Sequence, residues 1–278
     1  MVITGRKVIQ YMETIAPMKY AEEWDNVGFL IGNPDKKIKR ILVALDAIPE
    51  VVKEAINYQV DLIVTHHPFP FRSVKSICQD CSEGKLIIDF IKHDIGLYAA
   101  HTNLDIAFGG TNDVLAEKIG LHSIDILSPI VLEKQSREEV FKEEKEKRIG
   151  MGRIGHLLEP SSLQKYAKEI RKKLNLEYIR MIGEPEQIIH KVAICTGSGM
   201  SYLQEAMKQN ADVFITGDVK FHEAQKALQH GIAVIDAGHY GTEQLIIPVL
   251  AKGLRSWGEG KIEVMESKIN GEPFQVII

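Results

Sequence analysis

Cysteine is scarce in this chain. Three occur in 278 residues: Cys78, Cys81 and Cys195. An odd, low count excludes a disulfide framework and fits a reducing compartment, so a cytoplasmic location is expected. An excess of one charge is also lacking. Thirty-four basic residues against 38 acidic ones leave a net charge of −4. No basic surplus calls for nucleic acid, whose binders concentrate positive charge. The apolar runs are too short to span a bilayer, so no membrane partner is expected. The N-terminus, MVITGRKVIQYMETIAP, carries charges among its apolar positions and lacks a signal-peptide core. It reads as an amphipathic helix with Val8, Ile9, Met12 and Ile15 on one face.

What is present is ordinary soluble composition, 45% apolar and 26% charged. Its pattern alternates. RILVALDA (40–47), DLIVT (61–65) and IGLYAAH (95–101) read as strands, separated by the helical stretches PEVVKEAINYQ and EGKLIIDFIKHD. GGTNDVLAEKIGL enters another helix. Such alternation means βαβ units and a largely parallel sheet. The second half starts over. HKVAICTGSG (190–199), ADVFITGD and IAVIDAGH are strands, with MSYLQEAMKQN, KFHEAQKALQHG and TEQLIIPVLAKGL as helices. KIEVMES and PFQVII read as closing strands, the latter on an edge because Pro273 cannot donate to a ladder.

The halves superimpose in sequence. VKEAINYQVDLIVTHH (52–67) aligns without a gap on LQEAMKQNADVFITGD (203–218), placing Asp61 on Asp212 and Thr65 on Thr216. LYAAHTNLD then falls on VIDAGHYGTE, with His101 on His239 and Asp105 on Glu243. Register is held at polar positions as well as apolar ones, which indicates internal duplication. Between the halves, EKQSREEVFKEEKEKR (133–148) reads as a solvated loop or exposed helix, and SSLQKYAKEIRKKL as a helix with a Ser cap. The expected fold is therefore α/β, with two pseudo-repeated lobes of mostly parallel or mixed sheet flanked by helices. They cover 1–124 and 190–278, joined by a connector over 125–189 with its own small α/β element.

Chemistry-bearing residues collect at strand ends. In open α/β sheets the ligand crevice lies outside the carboxyl ends of the strands. His66-His67 closes the second strand, and Pro68 and Pro70 stiffen the exit. The pair alone fits a metal site, an acid/base pair or a polar loop. The third strand ends on His101 with Asp105 four residues on, and its second-half equivalent on His239 with Glu243 four residues on. Imidazoles and carboxylates without a thiolate suit zinc, iron, manganese or nickel. The set is large enough for two divalent ions. Asp218 stands opposite His67 in the duplication; with His222 and His101 it is a candidate for acid/base or substrate-binding work. EEWDNVGFLIG (22–32) reads as a tight turn or as a loop reaching the crevice, with Trp24 as a lid or an anchor. CTGSGMS (195–201) follows a strand and opens a helix; it reads as a tight turn, with anion binding by backbone N–H groups as the alternative, and fits neither GxGxxG nor a P-loop. CQDC (78–81) is a lone CxxC, with no partners spaced for zinc or redox use.

The motifs WDNVG, DLIVTHHP, YAAHTNLD, CTGSG, FITGD and AGHYGTE, in this order over nearly the whole chain, resemble the NGG-one-interacting-factor-three-like family, also labelled GTP cyclohydrolase 1 type 2. The resemblance implies a dinuclear metal centre in a cleft between the two lobes and a toroidal homohexamer. It places the metal ligands on His66, His67, Asp105, His239 and Glu243. Some relatives carry a larger domain inserted between the lobes, for which 125–190 is too short. The label names a reaction, yet nothing in the sequence reads guanine. The implied activity is metal-dependent hydrolysis of a nucleotide-like or phosphorylated small molecule; the alternative is a metal-delivery or regulatory protein without turnover.

Overall fold

Short runs of aliphatic and β-branched residues set the strands. The structure, a computed structural model, describes residues 2–130 and 149–277. The charged run 133–148 lies outside the described residues. Two compact units are present: Met1–Leu104 with Ile246–Glu272, and Asp105–Leu245 with Pro273–Ile278.

In the first unit, β1 (Gly28–Ile31), β2 (Arg40–Ala44), β3 (Leu62–Thr65) and β4 (Gly96–Ala99) form a sheet with β11 (Glu263–Glu266), in the order β1-β4-β3-β2-β11. Strands β2, β3, β4 and β11 run parallel, and β1 runs antiparallel beside β4. Every residue of β3 and β4 is buried, as a parallel strand covered on both faces requires. Leu42, Ile63 and Leu97 meet Val51, Val52 and Ala55 of the helix Pro49–Asn57 and Leu86 and Phe90 of the helix Ser82–Lys92. In the helix Gly5–Ile15, Val8 and Met12 are fully buried, whereas Ile9 and Ile15 are only half-buried.

In the second unit the order is β5-β6-β8-β9-β10-β7, from β5 (His122–Pro129), β6 (Gly150–Ser162), β7 (Arg180–Ile182), β8 (Ile188–Ile194), β9 (Val213–Thr216) and β10 (Ala233–Asp236). Strands β8, β9 and β10 are parallel; β5, β6 and β7 pair antiparallel with their neighbours. Val192, Ile194, Val213, Ile215 and Ile235 pack with Leu115 of the helix Thr111–Ile119 and with Tyr166 and Ile170 of the helix Leu163–Lys173. Ser162 caps the latter helix, accepting from the Lys165 N–H.

The repeat read in the sequence is present in the fold. Both sheets hold three parallel strands, β2-β3-β4 and β8-β9-β10, with an antiparallel strand outside the third. At matching positions Gln59 and Asn210 turn left-handed after their helices, at φ 53° and 55°. Asp61 accepts from the backbone N–H groups of Lys39 and Arg40 at 2.7 and 3.0 Å. Asp212 does the same for His190 and Lys191 at 2.8 and 2.7 Å.

Several expectations change. Residues 122–129 and 150–162 extend the second sheet instead of forming a separate connector, and β11 joins the first sheet beside β2. The units therefore divide the chain differently from the 1–124, 125–189 and 190–278 scheme. PFQVII forms no strand over its described residues, and Phe274 and Ile277 are 68% and 98% exposed. That stretch joins neither sheet over its described residues. MSYLQEAMKQN is helical only over Leu203–Lys208, after a 3₁₀ turn at Met200–Tyr202. No described helix is long and apolar enough to cross a membrane.

The matching aspartates should carry matching weight. Asp61→Ala and Asp212→Ala each remove a charged acceptor from two backbone N–H groups and should cost about 1–3 kcal/mol. Urea unfolding should show lower midpoints at unchanged m-value. Unchanged midpoints in both variants would refute this role.

Candidate metal centre

The first unit gathers three imidazoles. The chain leaves β3 at Thr65, whose hydroxyl donates to the His67 carbonyl at 2.7 Å, while the His67 N–H donates to the Leu45 carbonyl at 2.9 Å. These bonds hold the strand tip, and the two rings turn toward each other with centroids 4.9 Å apart. His101, just past β4, brings its ring to 5.2 Å from His66 and 5.5 Å from His67. One ring nitrogen of each lies within 4.8 Å of the others.

Each ring is held from behind. His66 Nδ1 is 2.9 Å from the Ala100 carbonyl, and His67 Nδ1 is 2.7 Å from Asp46 Oδ1. His101 Nδ1 is 2.9 Å from Asp25 Oδ1. The Asp25 side chain is fully buried and also accepts from the Thr102 N–H and hydroxyl. Burial pushes its carboxyl upward, but bonds from His101 and Thr102 outweigh this and hold it below the usual carboxylate value. So the WDNVG stretch does reach the histidines. Asn26 Nδ2 donates to the Pro70 carbonyl at 2.8 Å, and the Trp24 ring lies 6.0 Å from that of His101.

The second unit gathers two carboxylates and one imidazole. After β10, Gly238 at φ 76° redirects the chain into a helical turn, His239–Glu243. The sequence reading put His239 at the end of the strand IAVIDAGH and Glu243 in the helix TEQLIIPVLAKGL. The two residues instead share this turn, with His239 Nε2 3.1 Å from Glu243 Oε2. His239 Nδ1 is 2.7 Å from Asp218 Oδ2. A Cβ on Gly197, itself at φ +62°, would stand 2.1 Å from Glu243 Oε1, so the CTGSG turn backs onto this carboxylate. Asp105 and Glu243 are 7% and 3% exposed, and their ligand oxygens lie within 4.8 Å of one another. Asp105 accepts from the Thr111 hydroxyl, and its carbonyl accepts from Asn112 Nδ2 at 3.0 Å. Buried Arg153 clamps the following loop through both Asp113 oxygens and the Ala107 carbonyl.

These donor sets suit a divalent cation. A backbone carbonyl only accepts, so His66 Nδ1 carries the proton and Nε2 keeps a lone pair. The carboxylates on His67 and His101 favour the same tautomer, an arrangement that orients and strengthens imidazole ligands. His239 faces a carboxylate oxygen through each ring nitrogen, and a cation between Nε2 and Glu243 would suit that pairing. Among the described residues, His222 belongs to no metal-competent group; it is exposed, with Nδ1 3.2 Å from Gln225 Oε1. Asp218 supports His239. Asp46, Thr111 and Arg153 were not singled out from sequence. Asp46 follows the end of β2, so the strand-end rule that found the histidines would have found it too.

Residues 3–273 match the Duf34/NIF3 (NGG1p interacting factor 3) family. A Streptococcus pneumoniae protein named GTP cyclohydrolase 1 type 2 homolog is 35% identical, with 98% of each chain covered. A Bacillus subtilis homolog of the same name is 30% identical at the same coverage. That alignment runs over 367 positions, so this relative carries sequence that the present chain of 278 residues lacks. The crystal structure of a Bacillus cereus protein related to NIF3 superimposes with a TM-score of 0.90, 26% identity and full coverage of both chains.

Two outcomes follow from this geometry. Nitrogen NMR of the metal-free protein at mildly alkaline pH should show the Nδ1–H tautomer at His66, His67 and His101. Asp46→Ala should return His67 to a tautomer mixture and leave His66 unchanged; a mixture at His67 in the unsubstituted protein would contradict the assignment. Gly197→Ala should displace Glu243 and cost about 1–3 kcal/mol as overpacking, read as a lower unfolding midpoint.

Proposed function

Because this chain belongs to the Duf34/NIF3 family, we propose that it is a dinuclear metal protein that hydrolyses a nucleotide-like or phosphorylated small molecule. The observation that carries the metal reading is the set of four histidines, each with Nδ1 engaged by an acceptor. The two groups are chemically complementary. The first offers only imidazoles; the second offers two carboxylates and one imidazole. Pooled as His66, His67, Asp105, His239 and Glu243, they supply neutral nitrogen donors and the negative charge that two divalent ions need. Zinc, iron, manganese and nickel all accept this set. The name GTP cyclohydrolase carried by the relatives supports a nucleotide-like substrate.

Bound ions would supply Lewis acidity toward a carbonyl, phosphoryl or water oxygen. This chain's residues do the rest. Asp46 and Asp218 fix the ligand rings of His67 and His239. His101 lies beside the paired histidines with its far side on buried Asp25. From this position His101 is assigned to proton transfer with substrate. His222 takes no part. The three free thiols support a cytoplasmic setting. We further propose the toroidal homohexamer that the family resemblance implies.

Elemental analysis of the purified protein should find two divalent ions per chain, and a nucleotide and phosphoester panel run with that metal should reveal turnover. Metal-loaded protein that retains its ions and turns over nothing would refute hydrolysis; release of the ions to an acceptor would favour the delivery alternative. In a chelator competition, Asp46→Ala should weaken binding about 10–100-fold, and His67→Ala more. Light scattering at the mass of six chains would support the ring, and a monomer would exclude it.

A further inference from the structure

The CxxC stretch takes no part in the metal reading, yet its geometry is built. Cys78 and Cys81 are both free, with sulfurs 3.7 Å apart. Closing to the ~2.05 Å of a disulfide needs a movement under about 2 Å. The turn is folded onto the helix Ser82–Lys92. A Cβ on Gly84 would stand 2.4 Å from the Cys78 carbonyl oxygen, 2.6 Å from its nitrogen and 2.8 Å from Cys81 Sγ. Only glycine lets the turn approach so closely. Cys81 is the helix N-cap, its sulfur accepting from the Gly84 N–H at 3.3 Å.

The two ends of the motif differ. Cys78 lies below the usual thiol value: the Cys81 thiol hydrogen bond contributes most, followed by the backbone N–H of Asp80. The third cysteine behaves oppositely. Cys195 is buried, and burial together with the charges of Asp105 and Glu243 pushes its thiol far up. Thiolate character and access decide which sulfur reacts, and both favour Cys78 over Cys195.

We propose that Cys78 and Cys81 form a reversible dithiol–disulfide site that exchanges with small-molecule disulfides. One cysteine thiolate attacks one sulfur of the small disulfide, forms a mixed disulfide and releases one thiolate. The other cysteine, losing its proton to solvent, attacks that protein sulfur and expels the second thiolate. The two released thiolates take up the two protons given by the cysteines. The protein pair is thus oxidised by two electrons, and the small disulfide is reduced to two thiols. The site stands apart from the metal proposal: neither cysteine belongs to a metal-competent group among the described residues.

Equilibrating the full-length protein across reduced and oxidised glutathione mixtures, with acid quench, alkylation and peptide mass spectrometry, tests this. The expected result is a Cys78–Cys81 disulfide that appears as the oxidised fraction rises, reverses with excess reduced glutathione and persists in Cys195→Ser. Cys81→Ser should stop at a glutathione adduct on Cys78, and Cys78→Ser at one on Cys81. Circular dichroism confirms that each variant is folded. Two unmodified thiols in fully oxidised glutathione, or glutathione adducts that accumulate in the unsubstituted protein without a Cys78–Cys81 disulfide, would overturn the proposal.

Discussion

An imidazole can bind a metal through either ring nitrogen, and the rest of the site depends on removing that choice. One acceptor placed behind each ring does so. It puts the proton on Nδ1, aims Nε2 and limits rotation about the ring axis in a single contact. The acceptors differ in kind. His66 is held by the backbone of the strand end beside it, which no side-chain substitution can delete. His67, His101 and His239 rely on aspartates from β2's exit, the WDNVG loop and the end of β9. The short strands, the buried turns and the Arg153 clamp serve to place these few oxygens and nitrogens.

Duplication explains part of that economy. Positions 67 and 218 are equivalent in the repeat, yet their roles are exchanged. In the first copy the position carries the ring, and an aspartate from a neighbouring strand supports it. In the second the position carries the aspartate, Asp218, which supports a ring from a neighbouring strand. The strand tips differ in backbone, Asp218 being left-handed at φ 55°, yet each carries one member of a His–carboxylate pair.

Much of this was legible because strand ends combine two strong signals: a short aliphatic run and an abrupt polar stop. DLIVTHH and AVIDAGH both have them, so the repeat, the parallel cores and the His/carboxylate spacing could be read in advance. The supporting residues were harder. Asp46 stands at a strand end, as the histidines do, but its role as a support comes from its distance to His67. Residues 125–189 misled for a different reason. In β5 the first four residues are exposed, and β6 begins GMGRIG, so neither shows a two-residue apolar period. The glycines answer crowding instead: a Cβ on Gly150 would stand 2.2 Å from the Ser128 carbonyl oxygen. PFQVII was the reverse case, with strand-like composition but no place in either sheet over its described residues.

The close approach of Gly197 to Glu243 also bears on how the site meets an ion. A side chain at position 197 would meet one oxygen of Glu243, so the carboxylate occupies space that only glycine leaves open. Whatever cation Glu243 could hold, its approach is thereby tied to the path of the CTGSG turn.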